Sequence, residues 1–131
     1  MNNIFELECG LKILYNFSDN PNSSFVVRVL TGSFDDPEDK KGVAHFLEHV
    51  LFTGTESRSE KDLMNGQIGI FDAQTGYLET DIMVSTVSNN IENSLDKVMD
   101  MLKNCSFNEE LIERERHIID REIVSFSSDF N

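Results

Sequence analysis

The sequence predicts an α+β fold, an antiparallel sheet with helices packed on one face. Three observations point there. The run SFVVRVL at residues 24–30 is rich in Val and Phe, as strands are. Segments beginning near residues 43, 90 and 108 place apolar residues at helical spacing. The elements come in blocks, strands then helices then a strand and more helices, which suits a sheet with its helices segregated.

Taken in order, residues 4–8 alternate apolar and acidic side chains and read as a short strand. Gly10 breaks it, and residues 11–17 resume as a second strand. The run Ser18-Asp19-Asn20-Pro21-Asn22 is a turn by composition. After the strand at 24–30, residues 32–42 form a charged loop, and Gly42 opens a helix over 43–52. Residues 53–58 are loop. Ser59 is an N-cap for a short helix to about residue 68, with Asp62 three residues on as an approximate capping box. Gly66, Gly69 and Gly76 punctuate the next stretch, and residues 80–87 read as a strand. Asn89 or Asn90 caps a helix in which Ile91, Leu95, Val98, Met99 and Leu102 recur at helical spacing. Asn108 caps the last helix, whose first turn holds Glu109 and Glu110, favourably placed toward the helix dipole.

With 131 residues the chain reads as a single domain over 1–131, large enough to bury a core without disulfide staples. The 24 Asp and Glu outnumber the 11 Lys and Arg and give a formal charge of −13. No basic cluster is present to hold phosphates, so nucleic acid is not an expected partner, and an anionic membrane surface is disfavoured. Cationic or neutral partners remain open. The start, MNNIFELECG, lacks the basic and apolar regions of a signal peptide, and no apolar run approaches a transmembrane span. Two cysteines, Cys9 and Cys105, read as reduced thiols in a cytoplasmic protein, with a single bridge left open by sequence alone.

The stretch His45-Phe46-Leu47-Glu48-His49 carries the chemistry. On a helix, residues four apart share a face, so His45 and His49 can ligate one metal ion. Glu48 lies near that face, beside whatever the imidazoles hold. HxxEH is the inverse of the familiar HExxH zinc motif. The plain alternative is a pair of ordinary surface or core histidines. A zinc peptidase needs a third protein ligand and keeps a fourth position for water. The last helix offers candidates. Its apolar stripe runs through Leu111, Ile112, Ile118, Ile119, Ile123 and Phe126, and both Glu115 and Glu122 fall on it. Carboxylates on an inward face are costly unless paired or metal-bound. Pairing with nearby arginines is the competing explanation for both. Glu109, Glu113 and Asp120 read as solvated or locally paired, and His117 as a surface residue. Neither cysteine is spaced to join the site, and Met99 and Met101 look like helix packing.

Residues 28–55, RVLTGSFDDPEDKKGVAHFLEHVLFTGT, closely resemble the metal-binding region of the pitrilysin/insulinase family of zinc metallopeptidases. The family pattern is a Gly-Ser turn after a strand, an acidic loop, then G-x-AHFLEH-x-x-F-x-GT. Asp72-Ala73-Gln74-Thr75 looks like the family's Asn-Ala-x-Thr segment, and ERERHIIDREI at 113–123 resembles its glutamate helix. The resemblance implies one Zn²⁺ per chain held by His45, His49 and Glu122, with water in the fourth position. Glu48 is then the general base and Glu115 an auxiliary carboxylate. A peptide substrate is expected as an added strand near Asp72 and Ala73. The chain departs from the pattern at Asp72, where the family usually has a substrate-contacting Asn, and at Ile82, where Tyr is common. Family members usually pair two homologous domains around the peptide, and this sequence covers only the catalytic part of the first. A fragment of a longer protein, or a minimal metallopeptidase domain that borrows a partner, both fit. The expected activity is a zinc-dependent endopeptidase acting on peptides, with cationic ones favoured by the acidic balance. The alternative is a zinc-binding subunit proteolytic only in a homo-oligomer or hetero-oligomer with a homologous domain. A purely structural zinc site is a weak third reading, because such sites prefer four closed ligands, usually including Cys.

Overall fold

A computed structural model of the chain describes residues 3–65 and 69–128, with side-chain environments through residue 124. Two antiparallel sheets form. Strands β1 (Asn3–Glu6) and β2 (Lys12–Tyr15) make a hairpin of their own, turned at Gly10. Strands β3 (Asn22–Val29), β4 (Ile70–Thr75) and β5 (Thr80–Val87) make a second sheet in the order β3-β5-β4, with β5 at the centre. Among the described residues there are four α-helices: α1 (Val43–Leu51), α2 (Glu60–Leu63), α3 (Ile91–Asn104) and α4 (Glu109–Ser128). The expected α+β architecture, an antiparallel sheet with helices on one face, is the one observed.

Alternation along β5 decides which face is covered. Thr80, Ile82, Val84 and Thr86 point inward and are buried. The register places Ile82 between Val27 and Ala73, and Val84 between Phe25 and Phe71. Onto this face pack Leu51 of α1, Leu63 of α2, and Val98 and Met101 of α3, closing one core. On the outer face Val26 and Ile70 stay exposed.

Strand β4 is hidden in the sequence by the glycines that punctuate residues 66–76. Its inner face is Phe71, Ala73 and Thr75, a weak apolar signal. The helix expected over 59–68 is helical only over Glu60–Leu63, and residues 66–68 lie outside those described. Its capping box forms as expected: Asp62 N–H donates to Ser59 Oγ at 3.3 Å, and Ser59 N–H to Asp62 Oδ2 at 3.2 Å. Lys97, buried on α3, reinforces this helix by donating its Nζ to the carbonyls of Asp62 and Leu63. Asn108 caps α4 through Oδ1, which accepts from Glu110 N–H at 3.0 Å and Leu111 N–H at 3.2 Å. Asn90 stands at the N-cap of α3 but makes no side-chain capping bond, and a single 3₁₀ turn, Ser88–Asn90, leads in instead.

Ile82, one of the two departures from the family pattern, is fully buried at the centre of the core. Truncating it leaves a cavity that flanking strands cannot collapse into. Ile82→Ala is expected to lower unfolding free energy by about 2–5 kcal/mol. Urea denaturation checks this, with a shifted midpoint and an unchanged slope.

Candidate metal centre

Helix α1 is placed by the loop before it. Gly42 takes a left-handed conformation (φ 93°) that an L side chain would strain. Asp36, buried six residues upstream, then caps the helix from a distance. Its Oδ2 accepts from Gly42 N–H at 2.7 Å and its Oδ1 from Ala44 N–H at 2.8 Å. These bonds, Ala44's foremost, hold its carboxyl below the ordinary value of 3.8. The turn preceding this loop is seated on the β4–β5 connection. Ser33 N–H donates to Gly76 O at 3.0 Å and Phe34 N–H to Tyr77 O at 2.9 Å. A Cβ at Gly32 would stand 2.6 Å from Gly76 O, so only glycine permits that approach.

Helix α1 packs against α4 and β4. His45 and His49, one turn apart, bring their rings edge to face with centroids 4.8 Å apart. Glu122 of α4 reaches both: its Oε2 lies 3.8 Å from His45 Nε2 and 3.6 Å from His49 Nε2. One donor atom from each of the three falls within 4.8 Å of the others, and among the described residues this is the one such cluster of His, Cys, Asp and Glu. The donor chemistry fits zinc. Two ligand atoms on one tetrahedral ion, at bonds of about 2.0–2.2 Å, stand roughly 3.4 Å apart, close to the separations from Glu122. All three donors are partly exposed, which leaves the site accessible.

Glu115 behaves differently from Glu122. It is 7% exposed, and its Oε2 lies 3.2 Å from His49 Nδ1, on the opposite edge of the ring from Glu122. In the tautomer whose Nδ1–H donates to this carboxylate, the Nε2 lone pair is left for a metal, the arrangement that orients a ligating imidazole. Its other oxygen accepts from Arg114 Nε at 3.0 Å and Nη2 at 2.7 Å. The alternative explanation of this glutamate, pairing with an arginine, is therefore realised together with the histidine contact.

Glu48 is 8% exposed and accepts from Thr75 Oγ1 at 2.6 Å through Oε2. It lines a cleft of about 230 Å³ shared with His49, Phe52, Glu60, Met64, Arg114 and Glu115, and floored by Phe71, Asp72 and Ala73 of the edge strand β4. Ala73 N–H donates to Asp72 Oδ1 at 2.9 Å. The structure thus brings His45, Glu48, His49, Glu115 and Glu122 together and sets Asp72 and Ala73 along the same cleft. Thr75, Arg114, Glu60 and Asp36 enter the site's surroundings although spacing and composition assign them no role. Thr75 lies inside the Asp-Ala-Gln-Thr segment, so position in that motif is its only signal.

Other expectations divide. His117 is exposed, 3.5 Å from Glu113, as a surface residue should be. Ile118 and Ile119 face inward, but Ile123 on the expected stripe is 60% exposed, and Phe126 lies outside the described side chains. Cys9 is exposed and Cys105 half-buried, both free, and burial pushes the Cys105 thiol up. No helix among the described residues is long and apolar enough to cross a membrane.

Comparison with known proteins shows what the chain as a whole resembles. The profile described as "Insulinase (Peptidase family M16)" matches residues 12–130. An uncharacterized zinc protease of Rickettsia felis is 34% identical over 128 residues, covering 93% of this chain and 31% of its own length. The human mitochondrial-processing peptidase subunit beta is 31% identical over 120 residues, 89% of this chain and 24% of that one. Among solved structures, pitrilysin matches with a TM-score of 0.82 at 23% identity, covering 94% of this chain and 14% of that one. A protease from Helicobacter pylori matches at 0.85 and 22%, over 93% and 30%. The chain spans about a third or less of the length of these relatives.

Asp36 ties α1 to its loop more strongly when ionised. Its depressed folded value means this stability is present above about 3.8 and is lost as pH falls through the folded value. Urea midpoints of wild type and Asp36→Asn should differ by a constant gap from pH 7 to about pH 4 and converge below. A gap that stays constant down to pH 2 would contradict the assignment.

Proposed function

The chain belongs to the insulinase family of peptidases, and from that premise we propose that it is a zinc-dependent endopeptidase domain acting on peptides. The observation that carries this reading is the convergence of His45 Nε2, His49 Nε2 and Glu122 Oε2 beside a buried glutamate, Glu48. His45, His49 and Glu122 would hold the ion, which when bound supplies Lewis acidity toward a water and a peptide carbonyl.

Glu48 does the proton work. Thr75 donates to one of its oxygens and fixes the carboxylate in the cleft. As the water oxygen bonds to the peptide carbonyl carbon, Glu48 accepts a proton from that water. As the C–N bond breaks, it returns the proton to the departing amine nitrogen. Glu115 holds the Nδ1 edge of His49 and keeps the ring oriented. A peptide lies along edge strand β4 at Asp72 and Ala73, where backbone pairing gives affinity with little side-chain demand. Glu48, Glu60, Asp72 and Glu115 outnumber Arg114 along the cleft, which favours cationic peptides.

A second reading has its own support. The chain spans about a third of its zinc-protease relatives, and several other relatives are named as a peptidase subunit. On that reading the domain binds zinc but cleaves only when a homologous domain closes the other side of the cleft, in a second copy or a different chain.

Peptide cleavage by the zinc-loaded chain, alone and mixed with a homologous domain, tests both. Glu48→Gln should lose about 10²-fold or more in rate while retaining one equivalent of zinc. Full activity in Glu48→Gln would overturn the mechanism. Activity appearing only in the mixture would select the second reading.

A further inference from the structure

Arg114 makes more contacts than an arginine adjoining a metal shell requires. Two of its nitrogens, Nε and Nη2, donate to Glu115 Oε1 at 3.0 and 2.7 Å. The outer edge of the guanidinium meets Glu60 fork to fork, Nη1 to Oε2 at 2.8 Å and Nη2 to Oε1 at 3.0 Å. These bonds, Glu60's foremost, hold the Arg114 guanidinium above its already high ordinary value.

Glu60 is itself firmly based. It is the first residue of α2, a single turn fixed by the Ser59–Asp62 capping box and by buried Leu63. Lys97 of α3 anchors the far end of that turn through the Asp62 and Leu63 carbonyls. A continuous path of bonds therefore runs from α3 through α2 and Arg114 to Glu115, and ends on His49 Nδ1. A short helix lacking any metal ligand is connected to the imidazole that needs orienting.

We propose that Arg114 and Glu60 are positioning residues for the metal centre, locking Glu115 in the one orientation that directs His49 Nε2 toward Glu122. The inference rests on the metal site proposed above. A planar fork shared between two carboxylates is what arginine provides and lysine cannot. Charge alone argues the opposite way. Arg114 is a cation near a cation site, so its removal should tighten divalent-metal binding if it acted only through its field. A positioning role predicts weaker binding, and the two accounts differ in sign.

The test is zinc affinity of the full chain, by competition with a chelating dye, together with the visible spectrum of the Co²⁺-loaded protein. Arg114→Gln and Glu60→Gln should each weaken zinc about 10-fold or more. The double variant should be little worse than Arg114→Gln alone, because both break one linkage. Arg114→Lys, which keeps the charge but loses the fork, should weaken zinc comparably. The Co²⁺ bands should shift in all of these. Arg116→Gln removes the same charge from the exposed side of α4, where Arg116 pairs with Glu113 at 3.1 Å, and should bind zinc as wild type does. Far-UV circular dichroism of the metal-free proteins separates misfolding from mispositioning, and Arg114→Lys, which leaves the field unchanged, keeps the test open if Arg114→Gln unfolds. Wild-type zinc binding left unchanged or tightened in Arg114→Gln and Glu60→Gln overturns this inference alone. A wild type that binds no zinc overturns the metal site and the inference with it.

Discussion

A carboxylate with 7% exposure must find partners or remain a costly buried charge, and Glu115 has two: the neighbouring Arg114, at 2.7 Å, and His49, 3.2 Å away and 66 residues earlier in the chain. The contact with His49 is the one that spans two helices. The rest of the site depends on this contact. It joins α4 to α1, and with α4 so placed the carboxylate seven residues on, Glu122, comes within 3.6 Å of the other edge of the same ring. Seven residues is close to two helical turns, so the two glutamates share a face and grip one imidazole from opposite sides. On the function proposed above, the buried one orients the ring and the more exposed one takes the ion.

The remainder of the fold serves that pair of helices. The central strand β5 gives a flat apolar floor, and α1 and α3 seal it with Leu51, Val98 and Met101. Asp36 sets the start of α1 from outside the helix, so that the histidines leave the first turns at a fixed angle. The edge strand β4 has two tasks: Phe71 packs in the core, while Thr75, two alternations on, bonds the buried glutamate Glu48. A separate network centres on Asp100, which accepts from Asn104 within α3 and from Thr55 and Arg58 of the loop after α1; it fastens that loop to α3 and, Asn104 foremost, holds the Asp100 carboxyl well below the usual range. Site and scaffold are thus linked through polar contacts as much as through the core.

Much of this was legible in the sequence because it is local. The HxxEH spacing placed two imidazoles on one face, the stripe of α4 picked out Glu115 and Glu122, and the capping residues Ser59 and Asn108 marked helix starts that the structure reproduces. The features that escaped are non-local or chemically compromised. Strand β4 carries little apolar alternation because Thr75, on its inner face, is turned to a polar task at the site. Asp36 bonds to amides six and eight residues away, a spacing no periodicity reveals. Arg114 and Glu60 are 54 residues apart, and nothing in either neighbourhood announces the pairing. The inward stripe of α4 ends sooner than its spacing predicts, since Ile123 is exposed.

The central claim is that one ion is held by two imidazoles and one carboxylate drawn from two helices. X-ray absorption at the zinc edge of the loaded protein tests it most directly. The account predicts one zinc per chain surrounded only by nitrogen and oxygen at about 2.0–2.2 Å, with the multiple-scattering signature of two imidazoles. Sulfur at about 2.3 Å, which would bring in Cys9 or Cys105, or a first shell without imidazole, would contradict it.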